Sequence, residues 1–75
     1  LSSMNRAERL KALRGDVDAL VNSDESTVLA TLPQWDSLAI LLVLSHYEHA
    51  HKQAVTGAQI RACRTVADLL NLYVA

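Results

Sequence analysis

Residues 35–44, Trp-Asp-Ser-Leu-Ala-Ile-Leu-Leu-Val-Leu, place a serine at the start of a long apolar helix. Asp36 is a good N-cap, and we expect the helix to run from Ser37 to Lys52. A hydroxyl in the first turn of a helix is held out toward solvent. A phosphate ester formed there would lie against unpaired backbone N–H groups and the positive end of the helix dipole. The Ser37 hydroxyl is therefore the candidate functional atom.

The composition of the chain favours one small all-α domain. Half of the 75 residues are hydrophobic and few are aromatic, so Leu, Val, Ala and Ile must supply the core. These residues are mostly helix-compatible, and the scarcity of glycine, proline and β-branched runs argues against a sheet. We predict a four-helix bundle of three longer helices and one short one, with a long loop between the first two helices.

The spacing of apolar residues gives the expected helix bounds. The first helix is predicted over residues 4–21, and residues 22–34 form an aperiodic loop whose length is suggestive of function. Thr56 caps a short helix over residues 56–63, and residues 65–68 resemble a capping box that opens the last helix. The residues expected to face inward are Met4, Ala7, Leu10, Leu13, Val17, Leu20, Val21, Val28, Leu29, Leu32, Ile60, Val66, Leu69, Leu70, Tyr73 and Val74. Residues 4–75 are interpreted as a single domain, and residues 1–3, ahead of Met4, as a cloning remnant.

A helical wheel of the second helix separates a core face from an outer face. The core face is expected to hold Ile40, Val43, Leu44, Tyr47, Ala50 and His51. The outer face holds Ser37, Ser45, Glu48, His49 and Lys52, together with Leu38, Leu41 and Leu42. The three leucines are surplus to the core stripe. Either the bundle buries them or they form a docking surface for a partner around Ser37.

Charge and cysteine content exclude several classes of protein. The net charge is −1, and the basic residues of the first helix are interleaved with acidic ones, which is typical of a solvated face and not of a nucleic-acid binder. Cys63 is the only cysteine, so no internal disulfide can form and nothing indicates secretion. The apolar run 38–44 is too short to span a membrane. We expect a cytoplasmic protein, interpreted as a monomer, although the surplus leucines could also serve self-association.

Further motifs follow the serine motif along the chain, and together they cover nearly all of it. Asp36-Ser37-Leu38 is followed by Tyr47-Glu48 near the end of the second helix and by Thr-Val-Ala-Asp-Leu-Leu over residues 65–70. In this order the patterns resemble acyl and peptidyl carrier proteins. The resemblance implies a four-helix carrier with no catalysis of its own. Ser37 would bear a 4′-phosphopantetheine arm that comes from coenzyme A.

The resemblance also implies partners. A phosphopantetheinyl transferase would esterify Ser37, with Asp36 helping to place that enzyme. The thiol of the arm would receive an acyl or aminoacyl group from a loading enzyme and present the thioester to downstream synthase or tailoring enzymes. The positions that face partner enzymes in the family are Leu38, Leu41, Leu42, Ser45, Glu48 and His49.

Departures from the family pattern indicate which kind of biosynthetic pathway the carrier would serve. Positions that are commonly acidic carry Ala39, Leu42 and His49, so docking should depend less on charge and more on apolar contact. His51 stands where the family usually has an aromatic residue, and Trp35 where a small residue is frequent. These features favour a discrete carrier of a polyketide, nonribosomal peptide or related specialised pathway over a fatty-acid-synthesis carrier.

Rival interpretations of the same residues are weaker. A catalytic Ser37 would need a base within hydrogen-bond reach, but His46 lies about 13 Å along the helix axis at a rise of 1.5 Å per residue. His46, His49 and His51 do not share one side, which disfavours a metal site. Cys63 is expected to be a small core residue, and Trp35 covers either the loop or the base of the arm. The remaining rivals are an unmodified module that docks through its apolar helix and a helix-turn-helix DNA binder, which lacks the basic helix it would need.

Overall fold

The computed structural model describes residues 4–74, and over this range the protein is all-α. Its α-helices are α1 (Arg6–Asp16), α2 (Ser37–His51), α3 (Gly57–Arg61) and α4 (Val66–Leu70). The four predicted helices are therefore confirmed, and only an isolated bridge, Val28 to Thr65, has β geometry in the described part of the chain. The interpretation of residues 1–3 as a cloning remnant, and the domain boundary at Ala75, concern residues outside this range. No helix within residues 4–74 is both long enough and apolar enough to cross a membrane.

The relative lengths of the helices differ from the prediction. α4 has only five residues, the same number as α3, so the protein has two longer helices and two short ones. The turn that follows α4 carries Tyr73, which is half-buried, and Val74, which is 75% exposed. The prediction that Val74 faces inward is therefore wrong, because the chain has left the helix before reaching it.

α1 is also shorter than predicted. It ends at Asp16, and Val17 adopts an extended conformation (φ −123°, ψ 102°) before a 3₁₀ turn at Asp18–Leu20. Leu13, Val17 and Leu20 are nonetheless all buried. The apolar spacing continues through the break because two successive helical turns present the same face to the core. Met4, Ala7 and Val21, which were also expected to face inward, are exposed.

Each α-helix begins with a side-chain cap. Asp36, Thr56 and Thr65 act as N-caps of α2, α3 and α4, as predicted, and the last two belong to reciprocal capping boxes. α1 is capped by Asn5, which the prediction missed because it placed the helix start at Met4. A cap of this kind stabilises a helix by about 1 kcal/mol, a large contribution for helices of five residues.

The core lies between the four α-helices, each of which contributes at least one buried side chain. Its fully buried apolar residues are Leu13, Val17, Leu20, Leu29, Ala39, Val43, Tyr47, Ile60, Val66, Leu69 and Leu70. The segment between α1 and α2 reaches this core through Leu29, in a second 3₁₀ turn at Leu29–Thr31, and through the half-buried Leu32. Val28 is 44% exposed, so the prediction that it faces inward is wrong.

Backbone hydrogen bonds fix the segment before α2 to the start of α4. The Leu29 N–H donates to the Arg64 carbonyl (2.9 Å), the Val66 N–H to the Thr27 carbonyl (3.1 Å), and the Ala67 N–H to the Glu25 carbonyl (3.0 Å). The Arg6 guanidinium also donates to the Glu25 carboxylate (2.5 Å). The chain that leads to Trp35 and Ser37 is therefore held to the body of the protein.

Candidate functional site

Ser37 is the first residue of α2, and its side chain is exposed. The Asp36 carboxylate accepts a hydrogen bond from the Ala39 N–H (3.1 Å), and the Asp36 carbonyl accepts one from the Ile40 N–H (3.1 Å). The first N–H groups of a helix have no partner within it, and they carry the positive end of the helix dipole. The serine hydroxyl thus stands at a capped helix start and is exposed to solvent.

An exposed apolar surface follows Ser37 along α2. Leu38 is 62% exposed and Leu41 is 56% exposed, values that are high for large apolar side chains. Ser45, Glu48 and His49 are exposed further along the same helix, as expected for the docking residues. Five of the six predicted docking residues are therefore exposed, spread along α2 from Leu38 to His49.

Leu42, the sixth predicted docking residue, is only half-exposed. It packs against the core and also lines a groove with Asp18, Gln34 and Leu38. The expectation that Leu42 is surplus to the core is therefore only partly right, since one side of it contributes to folding.

The core face of α2 is rotated relative to the prediction. Ala39 and His46 are buried, Ala50 is exposed, and Ile40 and Leu44 are only half-buried. The rotation is roughly 50–60° at 100° per residue. The prediction assigned Ile40 and Leu44 to the core face from their apolar character, whereas the structure turns Ala39 and His46 inward.

Two of the histidines of α2 have structural contacts. His46 is buried and its Nδ1 lies 2.6 Å from the Asp16 carboxylate, which joins the end of α1 to the middle of α2. The His51 ring packs against Tyr73, with the ring centres 4.7 Å apart. Burial, reinforced by His46 and Arg9, lowers the pKa of His51. Over residues 4–74 no three His, Cys, Asp or Glu side chains form a group that could hold a metal ion.

Two grooves flank the start of α2 and carry opposite charges. The first is lined by Asp18, Ala19, Gln34, Asp36, Leu38, Ala39 and Leu42. The second is lined by Val28, Leu29, Ala30, Trp35, Arg61, Cys63 and Arg64. Sequence reasoning missed both grooves, because they bring together residues that are far apart in the chain and show no shared periodicity.

Cys63 lies in the second groove and is half-buried, in partial agreement with its predicted core position. Its thiol donates to the Gln59 carbonyl (3.3 Å). Burial, with a smaller effect of the Asp68 carboxylate, raises the pKa of the Cys63 thiol. A raised pKa keeps the thiol protonated and poorly nucleophilic at neutral pH.

Comparisons of the chain with protein-family models, with curated proteins and with solved structures give no match.

Proposed function

We propose that the protein is a carrier protein of the acyl or peptidyl type, folded as the small four-helix bundle of that family. Ser37 accepts a 4′-phosphopantetheine arm, and the thiol of the arm holds acyl or aminoacyl intermediates as thioesters. The observation that carries the proposal is the exposed Ser37 hydroxyl, which directly follows the Asp36 cap and is bordered by exposed Leu38 and Leu41. A protein that is modified by one enzyme and served by others needs a reachable attachment atom beside a surface on which they can dock.

The attachment reaction needs nothing from this chain except the hydroxyl and its presentation. The Ser37 oxygen bonds to the phosphorus next to the pantetheine unit of coenzyme A. The bond from that phosphorus to its bridging oxygen breaks, adenosine 3′,5′-bisphosphate leaves, and the hydroxyl proton passes to the transferase. The new phosphodiester is anionic, and the unpaired N–H groups at the start of α2 favour a negative charge there.

We propose no catalytic activity for the chain itself. A serine nucleophile requires a base within hydrogen-bond reach. The nearest histidine on α2, His46, is about 13 Å further along the helix axis, and it is buried against Asp16. The geometry therefore favours Ser37 as an acceptor of a group delivered by another enzyme.

The proposed partners are a phosphopantetheinyl transferase, a loading enzyme and downstream synthase or tailoring enzymes. The apolar character of Leu38 and Leu41 favours docking by contact area over docking by charge. This is consistent with a discrete carrier of polyketide, nonribosomal peptide or related specialised biosynthesis, and we propose a cytoplasmic location.

The test of the attachment site is an intact mass measured after incubation with coenzyme A and a broad-specificity phosphopantetheinyl transferase. We expect the parent protein to gain one phosphopantetheine and the Ser37→Ala variant to gain none. Ser26→Ala is the matched control, because Ser26 is an exposed serine outside α2 and its docking residues, and this variant should load as the parent does. Circular dichroism should show the parent's helical content in both variants.

The second candidate is an unmodified interaction module that docks through Leu38 and Leu41, and the exposure of these two side chains also favours it. The same experiment separates the two functions. A folded parent protein whose mass stays unchanged with several transferases would contradict the carrier function and leave the interaction module.

A further inference from the structure

The arginines of the protein fall into two groups. Those of α1 are engaged with the protein: Arg6 with Glu25, Arg9 with the Leu70 carbonyl (3.0 Å), and Arg14 with the Val21 carbonyl (2.9 Å). In the second group, Arg61 and Arg64 are exposed, and neither guanidinium makes a hydrogen bond or an ion pair with a described residue. These two exposed guanidinium groups are therefore free to meet an anion, and both side chains line one groove.

The groove has an apolar wall beneath these cations. Val28 and the half-buried Trp35 and Cys63 contribute apolar surface. The volume of about 290 Å³ lies at the lower end of the range for small-molecule sites. It suits a short chain with an anionic group and is too small for a folded partner.

The backbone that frames the groove is fixed. The Arg64 carbonyl accepts from the Leu29 N–H (2.9 Å), and the Arg64 N–H donates to the Asp68 carboxylate (2.9 Å). That bond and a second one from the Thr65 N–H lower the pKa of Asp68, with a smaller effect of the Arg64 charge. The Asp68 carboxylate is thus bonded to backbone N–H groups of the α4 cap, and it makes no hydrogen bond or ion pair with the Arg64 guanidinium.

The groove is within reach of a group attached to Ser37. Trp35 lies two residues before Ser37, so their Cα atoms are at most about 7.6 Å apart, at 3.8 Å per peptide unit. A flexible arm on the serine can fold back over this distance. The groove on the other side of α2 is lined by Asp18 and Asp36 and would repel an anion.

We infer that the groove between Trp35 and the Arg61–Arg64 pair binds the cargo of the arm, and that this cargo is a short acyl group with a free carboxylate. The inference rests on the proposed carrier function. A planar guanidinium matches a carboxylate through paired, charge-assisted hydrogen bonds. The acyl carbons lie against Trp35 and Val28 while the carboxylate meets the two arginines.

The test compares three cargoes that differ mainly in charge. Amide-linked coenzyme A analogues carrying succinyl, butanoyl or 4-aminobutanoyl groups are loaded onto ¹⁵N-labelled protein by a broad-specificity transferase. The readouts are the indole N–H signal of Trp35, the only tryptophan, and the Nε–H signals of the arginines. We expect the succinyl group to shift the signals of Trp35, Arg61 and Arg64, and the other two cargoes to leave the arginine signals in place.

Substitution and salt check that the carboxylate causes the shifts. Replacing both Arg61 and Arg64 by Gln should reduce the ratio of bound to free succinyl cargo about three- to tenfold, the range expected for losing charge-assisted hydrogen bonds at an exposed site. Raising the ionic strength from about 0.1 to about 1 M should weaken binding in the parent, since the Debye length falls to about 3 Å. Lys11→Gln, which removes an exposed cation of α1, is the matched control and should change nothing.

The outcomes separate the two proposals. A failure to load any cargo contradicts the carrier function itself. Loading without a difference between the succinyl and butanoyl forms overturns the cargo inference alone, as does a shift produced only by the 4-aminobutanoyl form. The variant with Gln at positions 61 and 64 could bind all three cargoes as the parent does and still react more slowly with a partner enzyme. The arginines would then contact an acidic protein surface, and the cargo inference would again be wrong.

Discussion

At the scale of single residues, Tyr47 links the helix that carries Ser37 to the end of the chain. Its side chain is 2% exposed, and its hydroxyl donates to the Leu69 carbonyl of α4. Burial raises the pKa of the Tyr47 phenol to about 12, opposed by smaller effects of Arg9 and Arg6. The protonated phenol is therefore part of the folded structure, and losing its proton would place a charge in the core.

The pKa of Tyr47 predicts a loss of stability in alkali. The folded value lies above the unfolded value near 10, so the contribution is complete below pH 10 and is lost as the pH rises toward 12. We expect Tyr47→Phe to lower the free energy of unfolding by about 1–2 kcal/mol at neutral pH, because the Leu69 carbonyl loses its donor. Chemical denaturation at several pH values measures both effects.

The control for this prediction is Tyr73→Phe, which changes a half-buried tyrosine outside the core. The difference in stability between the parent and Tyr47→Phe should shrink between pH 10 and 12. Tyr73→Phe measures the effect of removing a phenol hydroxyl elsewhere in the protein. A constant difference for Tyr47→Phe across the range would show that its phenol ionises as easily in the folded protein as in the unfolded chain.

The structural role of a residue was predictable where it depends only on its neighbours in the sequence. The caps Asp36, Thr56 and Thr65 follow from a side chain that bonds to a backbone N–H two or three residues ahead, which the sequence displays directly. His46 was not predictable in this way. Its burial depends on Asp16, thirty residues earlier, and no short-range pattern indicates that pairing.

At the scale of helices, Gly15 shows why the ends of a helix were harder to predict than the residues on its buried face. It lies in the last turn of α1, it has no positive φ, and no heavy atom lies within 4 Å of the place a Cβ would occupy. Glycine weakens a helix, and α1 ends one residue later, at Asp16. The core spacing from Leu13 to Val17 continues regardless, so periodicity predicted the buried residues correctly and the end of the helix wrongly.

Gly15→Ala should therefore stabilise the protein. We expect the free energy of unfolding to rise by about 0.5–1 kcal/mol, because alanine is the better helix former and loses less backbone entropy on folding. Thermal or chemical denaturation measures the change. Gly57→Ala is a useful comparison, since a Cβ there would lie 3.4 Å from the Arg61 guanidinium, and its gain should be smaller. A destabilised Gly15→Ala variant would mean that this position requires glycine for a reason outside the helix.

At the scale of the whole molecule, the leucines of α2 divide between those that pack in the core and those that stay exposed for docking. A 75-residue chain has little surplus core, so a leucine that is left exposed is a cost to folding that needs a compensating use. The sequence predicted this surplus correctly for Leu38 and Leu41. It could not place Leu42, since the rotation of α2 depends on how α1 and α3 pack against it.

Leu41→Glu and Leu42→Glu should separate the two roles. We expect Leu41→Glu to change the free energy of unfolding by no more than about 0.5 kcal/mol, as for an exposed position, and to lower kcat/KM for transferase-catalysed loading of Ser37 about tenfold, as for an anchor at an interface. Leu42→Glu should lower both quantities, with a cost to folding of about 1–3 kcal/mol because one side of Leu42 packs on the core. Denaturation measures the free energy of unfolding and loading kinetics measure kcat/KM for each variant, with Lys11→Glu as a control at an exposed position of α1. Equal loading by Leu41→Glu and the parent would show that the exposed leucines do not contact the transferase, and the surface around Ser37 would then lose its proposed role in that reaction.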